Sequence, residues 1–359
     1  MGYYEMGDHS IQKIYIVSWF GCSNTGGVER VVQYMVNAWK DMYDIEVIDL
    51  KKIKKLCRYG RLLGLYHGID SLIVSIYMRQ LTRNGKKLVI TNGYNCPYVR
   101  ADMLFMHGTM RGYKVACDGN RAKLWQISQL YERAACKRAK KILCVSQNAA
   151  EEVQRYYGAS ADKIEVLENC VDTDIFYPDN RLRRNREVIN IIYCGTLEYR
   201  KGVDILLKHA KIIEKYDNMR LLIATQKSKN TEMFSGLKNT TIYKSLHVKD
   251  MNLFYNQGDM MLFPSRYEGF EMVTTECMAA GVPVMGNNIG AIGHLYNKGV
   301  EGVFLLSSSE EQNIACICEQ VQIFGSDDKK RMLHENMEKM FGLKQYKEKL
   351  KNIVKCMTE

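Results

Sequence analysis

Residues 260–285 constrain the fold more than any other stretch. An apolar strand-like run, Met260-Met261-Leu262-Phe263, feeds a loop, Pro264-Ser265-Arg266-Tyr267-Glu268-Gly269-Phe270-Glu271. A helix-like segment follows, Met272 to Ala280, and beyond Gly281 comes a second apolar run, Val282-Pro283-Val284-Met285. Strand, loop, helix, strand is a βαβ unit, and its loop lies where such sheets bind ligands. Two carboxylates mark the unit, Glu268 in the loop and Glu276 on the helix, with seven residues between them. A helix N-terminus there offers free N–H groups to a phosphate, while a carboxylate accepts from ribose or sugar hydroxyls. The plainer alternative makes Glu268 a helix cap and Glu276 a solvated helix acid. The strand and glycine signals around the pair favour the ligand site.

The same alternation extends along the chain. Apolar, β-branched runs at 11–18, 45–50, 88–91, 103–106, 142–145 and 163–167 read as six strands of one half. After the polar, charged stretch 176–188, which contains Pro178 and reads as a linker, the pattern restarts at 189–193, 220–224, 241–243, 260–263, 282–285 and 303–306. A chain of 359 residues exceeds what one core usually fills. The expectation is α/β: two Rossmann-like, doubly wound domains facing a cleft, residues 1–180 and 181–340, followed by a charged amphipathic helix in 341–359. Ser146 is placed to cap the helix that follows it.

Composition narrows the function classes. Hydrophobic residues make up 46% and charged residues 25%, as in ordinary globular chains. No apolar run approaches the length of a membrane-spanning helix, and the start carries no signal-peptide core, so the expected location is cytoplasmic. The twelve cysteines are scattered, with no CxxC, and read as small core hydrophobes rather than a metal site. The net charge of +11 is partly local: Lys51, Lys52, Lys54, Lys55, Arg58 and Arg61 interleave with apolar residues over 51–63. That pattern suits an anionic membrane surface, and equally a solvated helix face. No nucleic-acid-binding motif is present, so nucleic acid is not expected as a partner.

Three further loops carry candidate residues. Gly26-Gly27-Val28-Glu29-Arg30 opens a helix after the first strand, where glycine lets backbone approach an anion. Gly195-Thr196-Leu197-Glu198-Tyr199-Arg200-Lys201-Gly202 follows the first strand of the second half. A lysine beside a helix start opposes the dipole, and a bound anion explains it better than solvent does. His107 follows the strand-like Met103–Met106, at the end of a strand where ligands collect. Asp172-Thr173-Asp174 spells a possible metal motif, but next to a linker it reads as turn-capping side chains.

Taken together, Glu268-Gly269-Phe270 with Glu276, Lys201-Gly202, Gly26-Gly27, Val145-Ser146 and Asn169-Cys170-Val171-Asp172 resemble glycosyltransferase family 4, retaining enzymes of the GT-B architecture. The resemblance implies a nucleotide-diphosphate sugar (UDP or GDP) as donor, no metal or other cofactor, and a glycan or lipid-linked acceptor of surface-polysaccharide assembly. It implies catalytic roles for His107, Lys201 and Glu268, and donor contacts from Gly27, Thr196, Arg200, Lys201, Glu268, Gly269, Phe270, Glu271, Met272, Val273, Thr274 and Glu276. It also implies that the terminal helix crosses back to the first domain. The chain departs from the family pattern at Thr196, where an arginine is usual, and at Cys170, Glu271 and Ala291, where glycine is usual. Thr196, Glu271 and Ala291 leave a second class open, a donor-site-degenerate protein that binds or stabilises an active transferase.

Overall fold

A computed structural model describes residues 13–22, 26–64, 68–83, 87–117, 122–179, 181, 187–226 and 229–358. Ile11 and Gln12 of the expected first strand, Ser23 to Thr25 of the glycine loop and residues 180 and 182–186 of the expected linker lie outside these. Every apolar run read as a strand overlaps one. The first six are β1 (Lys13–Val17), β2 (Asp44–Ile48), β3 (Lys87–Asn92), β4 (Met103–Met106), β5 (Lys141–Cys144) and β6 (Ile164–Val166). The second six are β7 (Ile189–Cys194), β8 (Met219–Thr225), β9 (Thr240–Lys244), β10 (Met260–Phe263), β11 (Val284–Gly286) and β12 (Val303–Leu305).

The strands form two six-stranded sheets, ordered β2-β1-β3-β4-β5-β6 and β12-β11-β10-β7-β8-β9, with every neighbouring pair parallel. Parallel strands are covered by helices on both faces, so their sequences are apolar throughout rather than alternating. Met260, Met261, Leu262 and Phe263 are accordingly all buried. Strand order reverses between β1 and β3 in the first sheet and between β7 and β10 in the second. The loops after those strands flank the two switch points, where doubly wound sheets bind ligands.

Helix signals are obeyed where the sequence supplies them. The Ser146 hydroxyl accepts the Ala149 N–H at 3.1 Å and starts the helix Gln147–Tyr157. Gly281 (φ +80°) follows the helix Met272–Ala279 in the left-handed conformation that ends helices cheaply. The basic stretch 51–63 breaks at Cys57 into a short helix, Leu50–Leu56, and a 3₁₀ turn, Gly60–Leu62. Only Ile53 of its apolar side chains is fully buried, while Leu56, Tyr59 and Leu62 stay exposed. One boundary is corrected at the C-terminus. The helix expected from Phe341 starts at Leu343, because Gly342 leaves the helical conformation (ψ 137°) and separates it from the helix Asp327–Phe341.

Contacts divide the chain into two units, one of residues 1–111, 120–167 and 344–359, the other of 112–119 and 168–343. Residues 168–180 therefore pack with the second unit rather than with the first domain, where the sequence reading had put them. Side-chain hydrogen bonds explain this: Asn252 and Asn256 accept the N–H groups of Tyr177 and Asp179 at 3.0 and 2.8 Å. Among the described residues no helix is long and apolar enough to cross a membrane. Of the twelve cysteines five are buried, and Cys22 and Cys356 are exposed.

Candidate active site

In the second unit the loops after β7 and β10 meet over one carboxylate. The first loop turns through the 3₁₀ segment Tyr199–Lys201 into the helix Val203–Ile213. Gly202 (φ +74°) makes the turn possible, since a Cβ there would lie 2.1 Å from the Pro264 carbonyl oxygen. That contact seats the β7 loop on the β10 loop and brings Arg200 and Lys201 to Glu268. Lys201 Nζ lies 2.6 Å from Glu268 Oε1, and Arg200 reaches the same oxygen at 3.1 Å. The Ser265 hydroxyl donates to it at 2.6 Å. Arg200 also donates to the Tyr267 carbonyl at 3.0 Å and to Glu198 at 3.0 Å.

Glu268 is 8% exposed. Burial pushes its carboxyl up, but the charges of Lys201 and Arg200 and the hydrogen bonds from Lys201 and Ser265 outweigh that and hold it below the ordinary range. Glu268 is thus an ionised carboxylate under two cations, and the anion that Lys201 faces is this side chain. Thr196 brings no charge; its hydroxyl donates to Glu198 at 3.0 Å.

Glu271 stands beside this cluster but bonds elsewhere. Its carboxylate accepts the N–H groups of Ala291 and Ile292 at 2.9 and 3.0 Å and the Thr274 hydroxyl at 3.1 Å, so it fills the N-terminus of the helix Gly290–Asn297. Gly290 (φ +54°) makes room, because a Cβ there would sit 1.9 Å from Glu271 Oε2. Burial first, and the negative charge of Glu268 next, push the Glu271 carboxyl up to about 7.

The helix Met272–Ala279 follows a glycine-containing loop and has no side chain capping its N-terminus. Phe270 and Gly269 are buried, the Phe270 ring edge-on to Phe341 at 5.3 Å, while Val273 is half-buried. Glu276, on the same helix, is 2% exposed and accepts from the Tyr255 hydroxyl at 3.0 Å.

Sequence reading gave no role to Ser265, Tyr255 or Asn287, nor to Asn169 beyond its place in the family signature. Asn287 donates to the carbonyls of Pro264 and Ser265 at 3.3 and 2.8 Å. Asn169 donates to the Phe270 carbonyl at 3.3 Å, so the 168–172 motif braces the Glu268 loop. In the Asp172-Thr173-Asp174 turn, Asp172 Oδ1 accepts the Asp174 N–H at 3.2 Å, a turn-capping bond as expected there.

In the first unit, Gly27 begins the helix Gly27–Trp39 after β1. His107 follows β4, its Nε2 3.0 Å from Asn92 Oδ1 at the end of β3, and the Asn92 amide donates to the Val17 carbonyl at 2.9 Å. Burial lowers the His107 pKa to about 4, so its imidazole is neutral. Glu132 and the Tyr157 hydroxyl share a hydrogen bond next to this loop, and Glu132 also accepts the Met110 N–H at 2.8 Å. Ends of β1, β3 and β4 thus collect Gly27, Asn92 and His107 along one edge of the sheet.

Two Rossmann-like units with these loops define the GT-B class of glycosyltransferase folds. Residues 25–175 match the family described as Glycosyltransferase Family 4, and residues 189–322 that described as Glycosyl transferases group 1. The chain belongs to the family-4 type of glycosyltransferases. Among curated relatives, the capsular polysaccharide biosynthesis glycosyltransferase CapM of Staphylococcus aureus is 28% identical over 222 residues, 57% of each chain. The chain spans about half the length of the curated relatives it matches. Among solved structures, sucrose-phosphate synthase from Thermosynechococcus elongatus superimposes with a TM-score of 0.79 at 14% identity, covering 96% of this chain and 99% of that one. HepE from Anabaena, in complex with UDP-glucose, gives 0.69 at 14% identity over 96% and 99%. At such identities the structures speak for the fold.

Proposed function

We propose that the protein is a retaining glycosyltransferase, a hexosyltransferase that moves a sugar from a nucleotide-diphosphate sugar, with uridine or guanosine as base, to a glycan or lipid-linked acceptor in surface-polysaccharide assembly. The observation that carries this reading is the convergence of Arg200 and Lys201 on Glu268, beside the uncapped helix Met272–Ala279 at the switch point of the second sheet. When a donor binds, its diphosphate competes with Glu268 for the two cations. Glu268 is then released to accept hydroxyls of the sugar, and amides of residues 269–274 cover sugar and phosphate. Charge develops on the departing diphosphate, so two fixed cations and a helix N-terminus supply the stabilisation that a metal ion gives elsewhere. Glu276 is the residue for the ribose, with Tyr255 fixing its orientation. Neutral His107 is suited to accept or donate one hydrogen bond near the reacting carbon, with Gly27 against donor phosphate or acceptor. Substitution proceeds on one face of the sugar, with no protein nucleophile.

The part of CapM in capsular polysaccharide biosynthesis and the UDP-glucose bound by HepE support this choice of substrates. In the same reading the enzyme works in the cytoplasm, with residues 51–63 against the inner face of the membrane. The test is release of nucleoside diphosphate from a panel of UDP- and GDP-sugars, with and without acceptor-bearing membranes. One donor should turn over, indifferent to chelator, and Lys201→Ala should slow it by about 100-fold or more, the scale for losing one charge-stabilising donor. Absence of turnover with every donor contradicts the proposal. Thr196 and the commitment of Glu271 to the helix Gly290–Asn297 favour the second reading, a donor-site-degenerate partner; binding without turnover is its signature.

A further inference from the structure

At the opposite edge of the first unit's sheet lies a concavity that the transferase reading does not use. It opens where β3, β4, β5 and β6 begin, and measures about 1060 Å³. Sites for small molecules reach roughly this size. Seven of its thirteen lining residues are Arg or Lys, and only Asp102 is acidic.

Some of those charges have structural work. Lys140 pairs with Asp102 at 2.6 Å. Lys87, Arg138 and Lys163 donate to the carbonyls of Leu81, Ala134 and Ala139, all at or near helix C-termini, where the dipole favours cations. Three cations are left over. Arg79, Arg100 and Lys137 are exposed, and their side chains make no ion pair or hydrogen bond among the described residues. They come from three separate segments, the helix Ile69–Leu81, the loop before β4 and the helix Ala122–Arg138, yet line one cavity. Tyr98 stands in the same wall, with the Arg138 guanidinium 5.1 Å from its ring centroid. Like charges gathered in one concavity repel one another, and a bound anion relieves that repulsion.

We propose that this cavity is a binding site for a ligand carrying two or more phosphate groups, with Arg79, Arg100 and Lys137 as its principal contacts. Arginine forks suit phosphate oxygens bidentately, and Lys137 adds a point charge. Because the site lies at the strand beginnings, a ligand there leaves the edge that carries Gly27 and His107 open. The same chemistry is presented by a free polyphosphate compound and by the head groups of an anionic bilayer, and the experiment separates them.

The full chain is titrated calorimetrically with tripolyphosphate, and floated separately with phosphatidylcholine vesicles with and without phosphatidylglycerol. The triple variant Arg79→Gln, Arg100→Gln, Lys137→Gln is compared with wild type and with Lys211→Gln, Lys215→Gln, which removes two exposed charges from the second unit. Tripolyphosphate binding weakened by about tenfold in the triple variant, as the loss of three solvent-exposed charge pairs implies, supports a free phosphate ligand. Flotation with anionic vesicles alone, lost in the triple variant, supports head groups. The proposal is overturned if wild type binds neither probe, or if the Lys211, Lys215 variant loses as much binding as the triple variant. Circular dichroism of the three exposed substitutions checks that folding is intact.

Discussion

Replacing Lys201 by methionine removes one charge from the Glu268 cluster, the ammonium that lies 4.9 Å from the Phe263 ring centroid, and keeps an apolar side chain of similar length. The two side chains of the pair are 14% and 9% exposed and 2.6 Å apart. Deleting one partner of a buried pair leaves an uncompensated charge and costs roughly 3–5 kcal/mol. Arg200 at 3.1 Å and Ser265 at 2.6 Å remain on the same oxygen, so the lower end applies, about 3 kcal/mol. For a unit of this size each kcal/mol moves the melting temperature by roughly 2–4 °C, which makes the expected shift about 6–12 °C. Adding Glu268→Gln removes the stranded charge, and the double variant should regain more than half of the loss. Calorimetric melting of wild type, both single variants and the double closes the cycle. If Lys201→Met melts within about 1 °C of wild type, below the effect of a lost buried pair, or the double variant is no more stable than Lys201→Met, the cluster is not held by this charge pair.

Gly202→Ala should be among the most damaging single changes in the second unit, since it strains a left-handed residue and drives a methyl into the Pro264 carbonyl; loss of soluble protein or a fall of about 3 kcal/mol is expected, and wild-type melting contradicts the packing. Folding lowers the His107 pKa to about 4, so the stability it contributes is full above the ordinary histidine range and is lost as pH falls from there toward 4. Its imidazole resonances should therefore stay unchanged between about pH 8 and 5.5, and a midpoint near the free-histidine value of about 6.5 contradicts the burial. Folding raises the Glu271 pKa to about 7, so the folded state holds this proton more tightly than the unfolded chain, and the associated stability is lost as pH rises from the ordinary carboxylate range toward 7. Melting of Glu271→Gln should fall less steeply with pH between 5 and 8 than that of wild type; equal slopes contradict the shift.

The β/α alternation was legible because buried parallel strands are apolar on both faces, and runs such as 260–263 and 142–145 carry that signal locally. Sheet order was not, since β7 pairs with β10 across about seventy intervening residues and no local pattern encodes that choice. The helix Ile69–Leu81 went unread because Leu72 and Ile76 are exposed while Ser71 and Ser75 are buried, which blurs the amphipathic period. In the site, the Glu268 loop was visible from its glycine and its two carboxylates. The destination of Glu271 was not: it lay near the donor phosphates in the sequence reading, whereas its acceptor atoms bind amides twenty positions later. A buried acid ahead of a Gly-Ala helix start is the signal that could have indicated it.

The central claim is that the Arg200, Lys201 and Glu268 cluster receives the diphosphate of a nucleotide sugar. Calorimetric titration of UDP-glucose, GDP-mannose and their free nucleoside diphosphates into wild type and Lys201→Met tests it most directly. Saturable binding of at least one donor, weakened by about tenfold or more when the charge-assisted contact from Lys201 is gone, is the predicted result. Heat-silent titrations with every donor, or equal affinity in both proteins, contradict it.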